Sequence, residues 1–257
     1  MVLLGLVGVL AFSACGSDEN DSAGSSGSFG DAVEGNVAVF AAASLSGAFE
    51  EIGNAFEAAN PDVDVTFNFA GSSDLVAQIN EGAPADVFAA ADLTNMTKLT
   101  EANGSAGSPV VFAKNSLEII VAAGNPLGIV GVADLVDPDL ILVTCAPEVP
   151  CGAYAAQIFE NANISPTPDS YEENVKAVVS KVVLGEADAG IVYATDVSAA
   201  RDDANGVAIP ADINVVAEYP VVITADAPNP VAGAAFVEFV LGDDAQQLLN
   251  GFGFTSP

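Results

Sequence analysis

From Asn36 onward, short apolar runs of buried-strand type alternate with runs whose apolar residues recur at helical spacing. The connections between them are short. That alternation restricts the chain to the α/β class, a sheet covered by helices. Asn36 to Ser44 is a buried strand, and Leu45, Phe49, Ile52 and Phe56 form one helix face stopped at Asn60-Pro61. Val63 to Ala70 alternates as a strand, and a helix opens near Ser72. Asp86 to Asp92 is a strand followed by a helix from Leu93, Ser116 to Pro126 a strand ending in a turn, and Leu140 to Pro147 a strand entering a cysteine loop. A helix from Gly152 follows, then one with Val175, Val178, Val179 and Val182 on one face. Ala189 to Asp196 and Ile213 to Thr224 read as strands, and Pro230 to Phe254 as a single closing helix. There is no repeat at a fixed period.

Composition removes several function classes. Lys and Arg number 5 against 35 Asp and Glu, a formal net charge of -30. Nucleic acid and anionic membrane surfaces are poor partners for such a chain, because phosphate binding needs clustered cations. The sequence contains no His. Ser-His-Asp triads, Cys-His pairs and His-ligated metal sites are therefore absent. Carboxylates are abundant enough for an Asp/Glu hydrolase, but no spacing singles out a catalytic pair. The chain is expected not to be an enzyme. Iron(III) binding is disfavoured too, since tyrosines 154, 171, 193 and 219 are scattered and His is lacking.

The first fifteen residues are expected to direct export. Met1 to Ala14 is an apolar run of signal-peptide length, ending Phe12-Ser13-Ala14-Cys15-Gly16. Small residues directly before a cysteine resemble the lipobox of bacterial lipoproteins, with Cys15 as the lipidated residue; a signal peptide cleaved nearby is the other reading. Gly16 to Gly35 is Ser, Gly, Asp, Glu and Asn with little to bury, the composition of a flexible tether. Together these place a domain at the periplasmic or outer face of a membrane, touching it only through a lipid anchor. Cys145 and Cys151, six apart in TCAPEVPCG, are expected to form a disulfide in that oxidising compartment, with two free thiols as the alternative.

Several strand ends share one chemistry: small or hydroxyl residues open a helix. Ala43-Ser44-Leu45, Gly71-Ser72-Ser73, Pro150-Cys151-Gly152 and Glu173-Asn174-Val175 all do so. A helix start offers unpaired N–H groups and roughly half a positive charge, a ready anion site. A Ser there is often only a structural cap, so four such starts matter more than any one. Tyr193, in GIVYATD, carries a further hydroxyl at a strand end.

These segments resemble a known family. VFAAASL (39–45), FAGSSDLVAQINEGAPADVFAAAD (69–92), PEVPCGAYA (147–155), EENVKAVV (172–179), GEADAGIVYATD (185–196) and the closing GFGF are similar to the periplasmic molybdate-binding proteins of ABC importers. The resemblance spans Asn36 to Phe254 in the family's order. It implies a two-lobed type II periplasmic-binding-protein fold, with mixed sheets flanked by helices and the ligand in the cleft between lobes. One lobe would comprise residues 36–112 plus 217–257, the other 113–216. It further implies that Ser44, Ser72 and Tyr193 donate side-chain hydroxyls to molybdate or tungstate, while Cys151 and Val175 donate backbone N–H. Molybdenum would then enter only as the oxyanion, with no direct protein ligand and no cofactor. Permease membrane subunits would be the partners of a monomeric receptor. Other tetrahedral anions, sulfate and phosphate, remain open as ligands. Two positions depart from the family's pattern: Cys151 stands where Ala is common, and Gly71 replaces the first Ser of a Ser-Ser-Ser run.

Overall fold

A computed structural model describes residues 33–257. The apolar run, Cys15 and the tether as far as Ala32 lie outside the described residues. The tether was expected to reach Gly35, but strand β1 (Gly35–Ala42) already begins there. The elements that follow are α1 (Ser46–Ala59), β2 (Val63–Ala70), α2 (Ser72–Asn80), β3 (Val87–Ala89), α3 (Leu93–Glu101) and β4 (Val110–Ala122). Then come β5 (Leu142–Cys145), α4 (Pro150–Asn161), β6 (Ser170–Glu172), α5 (Val175–Val183), β7 (Ala189–Tyr193) and α6 (Ala194–Ala200). The chain closes with β8 (Ala204–Ala208), β9 (Val216–Ile223), α7 (Pro230–Leu241) and α8 (Asp243–Gly251). The α/β class is as expected.

The strands run in the order β2-β1-β3-β9-β4-β7-β5-β6, with β8 also on β4. Strands β1, β2 and β3 pair in parallel, as do β5, β6 and β7. Between these two groups stand β9 and β4, both antiparallel to their neighbours. Strand β4 is the longest. Its first half pairs with β9 from Val110↔Val221 to Ser116↔Val216; its second half turns to β7 and β8 from Leu117 to Ala122.

One core of buried residues runs through both groups, from Val37 to Phe254. On one side Phe49 and Phe56 of α1 meet Phe236 of α7 at 6.1 and 5.3 Å between ring centroids, and Phe49 also meets Phe112 at 5.7 Å. These are edge-on or tilted contacts, the geometry aromatic rings prefer. On the other face of β3 a smaller cluster joins Leu75 and Val76 to Met96 and Leu99.

Several expectations need correction. The closing helix is two helices, because Gly242 adopts an extended conformation and the following Asp243 and Asp244 start a fresh first turn. The strand expected from Ser116 begins six residues earlier, at Val110. Strand β7 stops at Tyr193, and the residues expected to continue it turn into α6. Strands β6 and β8 were not foreseen; each is short, and the polar SYE and ANGVA carry no apolar alternation.

The acidic residues bracketing β3 are structural. Asp86 is 1% exposed, and its carboxylate accepts N–H from Ala38 at 2.8 Å and Asn229 at 2.5 Å, tying β1 and the start of α7 to the entry of β3. Asp92 caps α3 by accepting from Asn95 N at 3.1 Å, and burial holds its carboxyl above the usual carboxylate range. Both are occupied by backbone groups, so neither is a free acid or base. Replacing Asp86 with Ala leaves two partly buried amides unpaired, with an expected cost of about 3 kcal/mol. In a domain of this size that lowers the melting temperature by roughly 6–12 °C, which a thermal denaturation curve reads directly.

Candidate functional site

The five residues singled out as anion donors lie around one cavity. Ser44, Ser72, Cys151, Val175 and Tyr193 all line it, together with Ala42, Ala43, Ala70, Gly71, Ala91, Val149, Pro150 and Asn174. These residues come from the ends of β1, β2, β3 and β7 and from the starts of α2, α4 and α5. The empty space is at most about 200 Å³. Pockets for organic ligands run from about 300 to 1,000 Å³, so this one suits a solute of a few heavy atoms.

The cavity is lined by donors without cations. No Lys, Arg, Asp or Glu lines it. The five cations are engaged or remote: Lys176 with Asp196 at 2.8 Å, Lys181 with Glu172 at 2.6 Å, Lys114 with Glu218 at 3.7 Å, Lys98 on Asn95 at 2.9 Å, and Arg201 exposed. Cys151 and Val175 stand in the first turns of α4 and α5, and Ser72 opens α2. First-turn amides have no acceptor inside their own helix. Three helix starts therefore converge, each worth roughly +0.5 of an elementary charge.

The hydroxyls are set up in the same sense. Ser72 Oγ accepts from Ala91 N at 3.0 Å, which leaves its own proton to donate. Ser44 Oγ lies 3.1 Å from Tyr219 Oη. Tyr193 is 1% exposed, yet its Oη has no hydrogen-bond partner. An unpartnered buried hydroxyl costs about 1–3 kcal/mol and calls for a partner. Burial first, then the neighbouring Tyr219, Tyr154, Asp92 and Asp196, push the Tyr193 phenol well above its ordinary pKa. The group thus stays a neutral O–H donor. Ser73 Oγ, one position past Ser72, is likewise buried without a partner.

The tyrosines, scattered in sequence, are partly gathered in space. The rings of Tyr193 and Tyr219 lie 5.8 Å apart, and Tyr154 Oη bonds Ala91 O at 3.3 Å; only Tyr171 is out on the surface. Burial raises the pKa of Tyr154 and of Tyr219 as well, which keeps both phenols protonated in the metal-free protein.

Two glycines explain how closely the walls approach. A Cβ on Gly152 would stand 2.1 Å from Ala146 O and 2.5 Å from Cys145 O, so α4 begins directly against the end of β5. A Cβ on Gly71 would stand 2.5 Å from Glu173 O, across the cavity on the segment before α5. Gly71, the departure from the Ser-Ser-Ser pattern, thus lets the two walls meet. Asn174 was not singled out as a lining residue; its side chain caps α5 through Ala177 N at 3.1 Å. Among the described residues there is no group of three His, Cys, Asp or Glu able to hold a metal ion.

Residues 37–255 match the family of bacterial extracellular solute-binding proteins. The chain belongs to that family. A protein of Mycobacterium tuberculosis named molybdate-binding protein ModA is 39% identical over all of this chain and 95% of its own. A solved substrate-binding domain of a putative molybdenum ABC transporter from Clostridium difficile is 28% identical, with a TM-score of 0.65 over 86% of this chain and 99% of that one. The sulfate-binding protein SubI of Mycobacterium tuberculosis superposes with a TM-score of 0.77 at 20% identity, over 86% of each chain. At that identity the likeness concerns the fold alone. These relatives are binding proteins, not enzymes.

Cys145 and Cys151 form a disulfide with Cα atoms 5.6 Å apart. It pins the start of α4, and with it the Cys151 amide, to the end of β5. A chain-entropy estimate for so small a loop gives a stabilisation of about 2 kcal/mol. Replacing both cysteines with Ala should therefore lower the melting temperature by roughly 4–8 °C, and thiol titration of the unfolded parent should find neither thiol free until reductant is added.

Proposed function

We propose that this protein captures molybdate in the cavity at the ends of β1, β2 and β7, with tungstate as an equivalent ligand. The observation that carries the reading is the buried, unpartnered Tyr193 hydroxyl in a cation-free cavity at converging helix starts. A tetrahedral dianion supplies the acceptors that this hydroxyl and the amides of Cys151 and Val175 lack. Ser44 and Ser72 add two more donors. Hydrogen bonds to a charged group contribute about 1.5–3 kcal/mol each, so five can offset the dehydration of a dianion without any cation. The 39% identity to a protein named for molybdate supports this ligand over others. Sulfate is the second reading, because a sulfate-binding protein shares the fold.

The rest of the reading concerns delivery. Residues 36–112 with 217–257, and residues 113–216, act as two lobes that close on the anion by bending where β4 and β9 pass between them. The receptor is a monomer, exported through the segment before Cys15, tethered by a lipid there, and hands its cargo to ABC permease subunits. Phe12-Ser13-Ala14-Cys15 and the Ser/Gly-rich tether support the anchor.

Calorimetry of the soluble chain with molybdate, tungstate, sulfate and phosphate side by side is the deciding measurement. Molybdate and tungstate should bind alike and tightly, and a folded sample giving no heat with either sinks the reading. Tyr193→Phe removes one hydroxyl and should weaken molybdate binding about 10- to 100-fold, the equivalent of one charge-assisted bond. Ser44→Ala with Ser72→Ala together should weaken it more than about tenfold on the same arithmetic. Gly71→Ala tests closure: its Cβ wedges against Glu173 O, so the variant should keep the parent's ligand-free melting temperature yet show a much smaller rise with molybdate.

A further inference from the structure

The buried polar residues behind Ser44 form a chain whose direction is fixed by donor chemistry. Asn115 sits on β4 and is 4% exposed. Its Oδ1 accepts from Ser116 N at 3.0 Å, which settles the orientation of the amide. The NH2 group therefore faces the other way, where it donates to Thr195 Oγ1 at 2.9 Å. It also faces the hydroxyl of Tyr219 on β9, close enough to oppose the rise that burial gives the phenol's pKa. An amide NH2 can only donate. The NH2 group thus turns the phenolic proton away from its own side, and that single proton has one hydrogen-bond acceptor recorded within reach, Ser44 Oγ at 3.1 Å. Ser44 Oγ in turn accepts from Tyr219, which leaves the serine proton for the cavity.

We propose that Asn115 and Tyr219 are positioning residues that fix the direction of the Ser44 hydroxyl, so that its proton points at the bound oxyanion. The proposal rests on the reading that Ser44 is one of that anion's donors. Its consequence is that Ser44 is held as a donor before ligand arrives; a free hydroxyl would have to be turned at binding, and a reversed chain would present a lone pair to a dianion. Asn115 and Tyr219 lie on paired strands, with Asn115 opposite Ala217 and Tyr219 opposite Ala113. The direction of the serine is thus set from the two strands that pass between the halves of the sheet. Packing holds Tyr219 in place independently of its hydroxyl: Phe112, Tyr193 and Phe254 meet its ring at 6.4, 5.8 and 5.4 Å between centroids. The phenyl ring of Tyr219→Phe therefore has the same neighbours.

A double-mutant cycle by molybdate calorimetry on the soluble chain separates positioning from general packing. The parent and Ser44→Ala are measured first; about tenfold or more weakening in Ser44→Ala establishes the serine as a donor. Tyr219→Phe should weaken binding about three- to tenfold, and Tyr219→Phe with Ser44→Ala should bind within about twofold of Ser44→Ala alone, the signature of residues acting through one another. Asn115→Leu should show the same dependence on Ser44. A residue acting only through packing would lower the ligand-free melting temperature and add its loss to that of Ser44→Ala. Additive losses, or parent affinity in Tyr219→Phe, overturn the proposal; should Asn115→Leu fail to fold, the Tyr219 cycle decides alone. Failure of the parent to bind molybdate overturns the ligand reading itself, and with it the relay. Parent affinity in Ser44→Ala removes the serine from the site and leaves the relay nothing to orient, whatever the other donors do.

Discussion

Everything about the cavity depends on the antiparallel pairing of β4 with β9, Val110 to Ser116 against Val221 to Val216. The parallel strands β1 to β3 on one side and β5 to β7 on the other never pair with each other. Each group presents strand ends that lead into helices, and a parallel strand end followed by a helix start is where an open α/β sheet can bind an anion. Two such groups give two half-sites. The β4–β9 ladder holds them at a distance where Ser44 and Ser72 from one group stand beside Cys151, Val175 and Tyr193 from the other. The closing GFGF belongs to this arrangement: Gly253 takes φ +96, Phe254 packs edge-on to Tyr219 at 5.4 Å, and Thr255 bonds Lys114 of β4. A positive φ there is a conformation that glycine adopts without strain, and it lets the C-terminal end fold back on the ladder.

The sequence disclosed the fold class because each half-site is built from local patterns. Leu45, Phe49, Ile52 and Phe56 mark α1, and all four are buried. The alternation in VDVTFNFA defines β2 to the residue. The five residues that gather at the cavity were named by resemblance, and their helix-start context by local chemistry, since a strand end followed by Ser or Gly is visible in a single chain. Where the reading failed, the determinants were distant or conformational. The extension of β4 back to Val110 is dictated by β9, more than a hundred residues away in sequence. The break at Gly242 depends on a backbone angle that a run as apolar as PVAGAAFVEFVL conceals. Asn115 and Tyr219 could not be found at all, because the role proposed for them depends on the end of β1, β4, the start of α6 and β9 being brought together; Asn115 in AKNS looks like a turn residue and Tyr219 in AEYP like a packed aromatic. Gly71 was the reverse case: visible as a departure, but explained only by the approach of Glu173 O.

A net charge of -30 opposes the approach of an anion, but only at short range. Screening confines surface charge effects to about 8 Å at physiological salt. Asp92 and Asp196, the two carboxylates that raise the pKa of Tyr193, are both committed. Asp196 is 1% exposed, lies 2.8 Å from Lys176 Nζ without good hydrogen-bond alignment, and accepts from Tyr193 N at 3.3 Å; Asp92 caps α3. Burial raises the pKa of both, and Lys176 works against the rise at Asp196. Their negative charge is spent on N–H groups and a lysine, so what the cavity itself presents is the positive end of three helices and three O–H groups.

A cation would serve this site worse than those donors. Bound to an anion in a closed cavity, a lysine gives one strong, poorly directed attraction, and it must be dehydrated each time the cavity forms. It would also hold any anion of the right charge. Fixed N–H and O–H groups reward only an anion whose oxygens fall where the donors point, and they leave the empty site neutral. That neutrality matters for a carrier: a site charged when empty would be strongly hydrated and costly to close, or would keep hold of its cargo when opening is required. A cost of the neutral design is visible in the structure as the Tyr193 hydroxyl, buried and unpartnered. An acceptor that fills this place removes a cost of about 1–3 kcal/mol, so the empty cavity is stabilised by the arrival of an anion's oxygen.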